Sequence, residues 1–67
     1  MAKIQLNGKR ITIKSKVNIR DILKKYKLNH KKVAIELNGT IISKNNFKKI
    51  YLKNNDKLEI VHFIGGG

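Results

Sequence analysis

Cysteine and proline are both absent from this chain of 67 residues. Without cysteine there is no disulfide, no thiolate nucleophile and no Cys-based metal site. Acidic residues are scarce, four against 16 basic ones, and the net charge is +12. Four aromatic residues, none of them tryptophan, are too few for an obvious base-stacking platform. No run approaches the roughly 20 apolar residues that a membrane span needs. Met1 to Ile13 alternates in polarity and lacks the continuous apolar segment of a secretory leader. These absences predict a cytoplasmic protein with no membrane partner, and its length predicts one small domain. Such a domain buries only about 60% of the surface its unfolded chain exposes.

What the chain has in excess is lysine. Fourteen of the basic residues are Lys, and only Arg10 and Arg20 are Arg. A charge of this size suits nucleic acid or an anionic membrane surface. It also suits a solvated, lysine-rich exterior. Bidentate readout of phosphate or guanine prefers arginine, so the composition favours the second reading. Lys, Asn and Ile together supply 33 of the 67 residues, a bias that an AT-rich genome would produce.

The hydrophobic pattern changes period along the chain. Lys3 to Leu6 alternates with Ile4 and Leu6 on one face, and Lys9 to Lys14 alternates with Ile11 and Ile13 on one face. Asn7-Gly8 joins them, and this pair is the strongest short-range hairpin signal because a type I′ turn needs positive φ at both positions. Ile19, Ile22, Leu23 and Tyr26 then recur at helical spacing. Asn18 is the expected N-cap, with Asp21 three residues later and Val17 placed to staple onto Ile22. The spacing predicts a helix over about 18–28.

Strands return with Val33, Ile35 and Leu37 on one face, a second Asn-Gly turn at Asn38-Gly39, and Thr40 to Ser43 beyond it. Phe47 is the expected inward anchor of the loop or helical turn that follows. Ile50 to Leu52 could form a very short strand, and Lys53 to Asp56 a turn. The last strand is expected from about Lys57 to Phe63, with Leu58 and Ile60 inward. A single helix covers one face of a sheet, so the architecture is a two-layer α+β domain.

Candidate chemistry is sparse. Asp21, Glu36, Asp56 and Glu59 stand apart in the sequence as single carboxylates, and His30 and His62 have no Ser or carboxylate beside them to make a nucleophile–base pair. His62 has inward parity at the edge of the core. There is no metal-ligand spacing and no phosphate-cradling loop. Val61 and Phe63 share the outward face of the last strand with Glu59. They form either a docking patch or a surface covered by a loop or by Phe47 to Leu52.

Beyond Ile64 the sequence ends in Gly65, Gly66 and Gly67. Backbone without Cβ atoms is thin and takes φ values closed to other residues. Three extended residues reach about 10 Å. Such an arm would carry a terminal carboxylate, ionised at neutral pH, into another protein's active site.

The hairpin with Asn-Gly, the amphipathic helix, "VAIELNG" at Val33 to Gly39 and "NDKLEIVHFIGGG" at Asn55 to Gly67 resemble the ThiS family of sulfur carriers. The likeness covers essentially the whole chain. It implies a ubiquitin-like β-grasp fold with a mixed sheet packed on one helix, spanning 1–64, and a flexible tail over 65–67. It also implies that Gly67 is the working residue and that the chain is a carrier rather than an enzyme. An E1-like enzyme would adenylate the Gly67 carboxylate with ATP and Mg²⁺. Sulfur from a cysteine desulfurase system would convert it to a thiocarboxylate. Thiazole synthase would take that sulfur for the thiazole of thiamine. Gly65 and Gly66 match the tail, and Val61, Phe63 and Ile64 occupy the stretch expected to meet the partners. The charge of +12 is high for such a carrier.

Three other readings stand beside it. The small subunit of molybdopterin synthase also ends in Gly-Gly, and a protein modifier would form isopeptide conjugates. A basic nucleic-acid-binding module would lose affinity steeply with salt and ignore loss of Gly66 and Gly67.

Overall fold

The computed structural model describes residues 1–63. Strands β1 (Ala2–Leu6) and β2 (Lys9–Ile13) form the expected hairpin, with Leu6 opposite Lys9. Its turn has φ of 50° at Asn7 and 82° at Gly8, as a type I′ connection requires. Strands β3 (Val33–Leu37) and β4 (Thr40–Ile42) repeat the device, with φ of 52° at Asn38 and 86° at Gly39.

Helix α1 (Ile19–Lys25) is shorter than the predicted span. Its start is as read from the sequence. Asn18 Oδ1 accepts the Asp21 N–H at 2.8 Å, and Asp21 Oδ2 accepts the Asn18 N–H at 3.0 Å, closing a capping box. Its end comes early. Lys27 takes φ of 57°, its N–H donates to the Lys24 carbonyl at 3.1 Å, and the Leu28 N–H donates to the Leu23 carbonyl at 2.8 Å. These are the two bonds of a Schellman cap, made here without glycine. The chain therefore leaves the helix after Tyr26. Leu28 comes back against the core, while Tyr26, expected on the buried face, is exposed.

Strand β5 (Lys57–His62) lies in the middle of a five-stranded sheet of order β2-β1-β5-β3-β4. It runs parallel to β1, where Gln5 meets Lys57 and Leu6 meets Leu58. It runs antiparallel to β3 from Val33–His62 to Leu37–Leu58. Ile19, Ile22 and Leu23 of the helix pack with Ile4, Ile35 and Leu58 of the sheet in one core, and Phe47 fills it as the sequence predicts. The expected strand at Ile50 to Leu52 reduces to one bridge, Tyr51 with Asn18, flanked by bonds from Ile19 N–H to the Ile50 carbonyl and from Leu52 N–H to the Val17 carbonyl. This segment pairs with the chain entering the helix, so it never joins the sheet.

Both Asn-Gly turns also grip β5. Asn7 Oδ1 accepts the Ile60 N–H at 2.7 Å, and its Nδ2 donates to the Ile60 carbonyl at 3.2 Å. The side chain thus extends the parallel seam where β1 has already turned away. On the other flank Asn38 Oδ1 accepts the Lys57 N–H at 2.8 Å, and its Nδ2 donates to Asp56 at 2.9 Å. Asp56 Oδ2 in turn accepts the Lys53 N–H at 2.7 Å.

Two stability measurements by urea denaturation test these assignments. Asn7→Gly keeps the positive φ but deletes both bonds to Ile60, and is expected to cost about 1–2 kcal/mol. An unchanged midpoint would show that Asn7 serves the turn alone. Lys27→Gly relieves the left-handed strain at the helix end and is expected to raise stability by up to about 1 kcal/mol.

Candidate functional site

Alternation along β5 sends Leu58 and Ile60 toward the helix and Lys57, Glu59 and Val61 to the open face of the sheet. Val61 is 59% exposed and Phe63, one residue past the strand, is 50% exposed. The Phe63 N–H donates to the Lys32 carbonyl at 2.8 Å, which anchors the backbone there. The segment that could have covered these residues is committed elsewhere, with Phe47 and Leu52 buried in the core. Of the alternatives left by the sequence, coverage by Phe47 to Leu52 is thus not seen among the described residues, and Val61 and Phe63 stay exposed. Ile64, Gly65, Gly66 and Gly67, the other predicted site residues, lie outside the described residues.

The patch holds residues that sequence reasoning missed. Ile41 is 76% exposed and sits opposite Glu36. Ala34 sits opposite Val61 and Glu36 opposite Glu59. A two-residue turn at Asn38-Gly39 fixes the β3–β4 register, so the outward position of Ile41 was available from the sequence. The pairing of Glu36 with Glu59 was not, since it depends on β3 and β5 meeting across 23 positions of sequence. The carboxylates expected to be isolated are thus neighbours in two of the four cases.

Around this patch the surface is basic. Lys3, Arg10 and Lys57 lie on the open face of the β1–β2 half, where they line a depression of about 270 Å³ with Asn54 and Asn55. On the other side of the molecule, Arg20, Lys31, Lys44 and Lys48 surround His30. Partial burial, followed by those four cations, holds its imidazole below the ordinary value of 6.5. His62 keeps its inward parity but is exposed, at a cleft it shares with Tyr26 and Leu28. Among the described residues there is no group of three or more His, Asp or Glu side chains able to hold a metal ion. No helix among them is long and apolar enough to cross a membrane. The described site therefore has the makings of a contact surface and no nucleophile–base pair.

Comparison with known proteins gives this surface a family. Residues 4–67 match the model of the ThiS family. The sulfur carrier protein ThiS of Bacillus subtilis is 43% identical over 65 residues, covering 96% of this chain and 98% of the relative. A protein named thiazole synthase in Paramagnetospirillum magneticum is 34% identical over 97% of this chain, which spans only 20% of that longer protein. The crystal structure of the thiamine biosynthesis protein ThiS from Geobacter metallireducens superposes with a TM-score of 0.81 at 29% identity. That match covers 97% of this chain and 99% of the other. The mixed five-stranded sheet on one helix is thus the ubiquitin-like β-grasp that the sequence resemblance implied. The chain belongs to the ThiS family.

Proposed function

We infer that this chain is a sulfur carrier of thiamine biosynthesis whose working group is the carboxylate of Gly67. The observation that carries the reading is the family match, which runs through the glycine tail to residue 67. The fold supports it. Strand β5 is central in the sheet and leads within five residues from His62 to Gly67, so the tail follows directly from the best-anchored strand. On this division, residues 1–64 are the β-grasp body and residues 65–67 the reactive arm.

The chemistry follows from what the chain lacks. Without cysteine it cannot carry sulfur as a persulfide, which leaves an acyl derivative such as that of the Gly67 carboxylate. A carboxylate is a poor acceptor for a sulfur nucleophile. An E1-like partner that binds ATP and Mg²⁺ corrects this: a carboxylate oxygen attacks the α-phosphorus and pyrophosphate departs. Persulfide sulfur delivered from a cysteine desulfurase system then attacks the acyl carbon, AMP leaves, and a thiol reductant cleaves the acyl disulfide so formed to the thiocarboxylate. The resulting thiocarboxylate is a good nucleophile for the thiazole synthase. ATP and Mg²⁺ belong to the partner, and this chain supplies positioning.

Val61, Phe63, Ile64, Gly65 and Gly66 are the proposed contacts to these partners. Exposed apolar side chains beside a slender tail allow the body to dock while the arm enters a channel too narrow for Cβ atoms. The thiazole synthases that contain a segment like this chain support a physical partnership with that enzyme. Placement in the cytoplasm, where ATP is available, accords with the reading.

Intact-mass spectrometry tests it. With ATP, Mg²⁺, the activating enzyme and a sulfur source, the chain should gain the mass of one oxygen replaced by one sulfur. Deletion of Gly67 should abolish that gain and leave the unfolding midpoint unchanged, because no core residue is touched. An unmodified mass with a competent enzyme would overturn the assignment.

A further inference from the structure

Two of the four carboxylates have work inside the fold. Asp21 closes the capping box of α1, and Asp56 braces the turn before β5 and the Asn38 side chain. The other two, Glu36 and Glu59, are exposed and face each other directly across β3 and β5. Residues opposed in this way on an antiparallel pair have Cβ atoms about 4.5–5.5 Å apart, and like charges there are destabilising. In a chain with 16 basic residues, random placement would rarely bring two carboxylates together, and local stability would disfavour it.

The surroundings of the pair are apolar on one side and basic on the other. Ala34, Ile41 and Val61 share with the two glutamates a depression of about 170 Å³. Lys57, two residues before Glu59 on the same face, begins the basic half that continues through Lys3 and Arg10. The open face is therefore divided into a cationic half and a half that is apolar with a doubled negative charge.

We propose that Glu36 and Glu59, with Ile41 and Val61 beside them, form a receptor for an arginine that the thiazole synthase presents among apolar side chains. The proposal rests on the carrier reading, which supplies the partner. A guanidinium offers five donors in a rigid plane and can bridge two carboxylates, which a compact ammonium does less well. Its arrival replaces a repulsion with two charge-assisted contacts, while its stem and its apolar neighbours cover Ile41 and Val61. The cationic half of the open face, with Lys3, Arg10 and Lys57, offers no carboxylate to the same guanidinium. The partner is thereby confined to one half-face and one orientation, which is how complementary charge gives specificity. Val61 precedes Gly67 by six residues, so this docking register also fixes where the tail departs.

Titration calorimetry with the full chain and its thiazole synthase tests the receptor. The double variant Glu36→Gln and Glu59→Gln keeps size and removes charge. It is expected to unfold at the same midpoint as the parent or a higher one. Its binding to the synthase is expected to weaken by at least about tenfold and to lose most of its salt dependence. The control Lys3→Gln with Arg10→Gln, on the cationic half, is expected to leave affinity within about twofold. Unchanged synthase binding by the glutamine variant overturns the proposal. So does a loss confined to the activating enzyme, or dissociation of a self-associated parent by the same variant. If the parent itself fails to bind the synthase, both this proposal and its partner assignment fall. A parent that binds and gains sulfur while the glutamine variant binds equally well refutes the receptor alone.

Discussion

Strand β5 takes backbone hydrogen bonds from β1 on one side and β3 on the other, and the side chains of Asn7 and Asn38 add bonds from the two hairpin turns. The parallel seam with β1 is short, with two register pairs, Gln5–Lys57 and Leu6–Leu58. Parallel neighbours cannot be joined by a tight turn, so everything from β2 to Asp56 intervenes in sequence between these two strands. The Asn7 side chain lengthens this seam by imitating a backbone pair with Ile60. A domain of this size has little stability in reserve. Strapping its last strand from both flanks makes that strand a firm base for whatever follows it.

The same strand divides the open face of this strongly cationic chain into two unlike halves. Along β5, Lys57, Glu59 and Val61 succeed one another on the open side, passing from the basic half to the apolar, acidic half in three outward positions. Most of the net charge of +12 is dispersed over the remaining surface, including the cations around His30. Dispersed lysines are strongly hydrated and serve solubility well. They provide no fixed geometry for a partner. Two opposed glutamates on adjacent strands have a fixed geometry, because the ladder sets their separation.

Local signals in the sequence predicted most of the fold. Asn7-Gly8 and Asn38-Gly39 marked both hairpins because only residues tolerant of positive φ fit a type I′ turn. Asn18 with Asp21 marked the helix start because both halves of the capping box are local. Phe47 was legible as an anchor because a lone aromatic in a polar loop has few other uses. The misreadings have two causes, a local helix cap made without glycine at Lys27 and pairing with partners distant in sequence. Periodicity placed Tyr26 inward, but the turn at Lys27 lets Leu28 take the core position instead. The Ile50–Leu52 segment read as a strand because its composition suits one, yet its partner is the chain around Asn18. Of the exposed apolar face, Val61 and Phe63 were legible from parity. Glu36 and Glu59 were read as separate residues because strand order, and not spacing, brings them together.

Several features of this chain oppose its own stability. Glu36 faces Glu59, Lys27 adopts a left-handed conformation, and Ile41, Val61 and Phe63 present apolar surface to water. The Lys27 strain serves the fold, since it returns Leu28 to the core. The other features have no compensating contact within the described part of the chain, and all of them cluster on or beside the open face of β3, β4 and β5. Where local rules are broken without an internal gain, the gain is sought in function. The core, by contrast, follows the rules throughout, with no buried polar or charged side chain among the described residues. Such a core can vary in sequence while keeping its volume and pattern. On the proposed function, the open face has no such latitude, since it must match a surface outside the molecule.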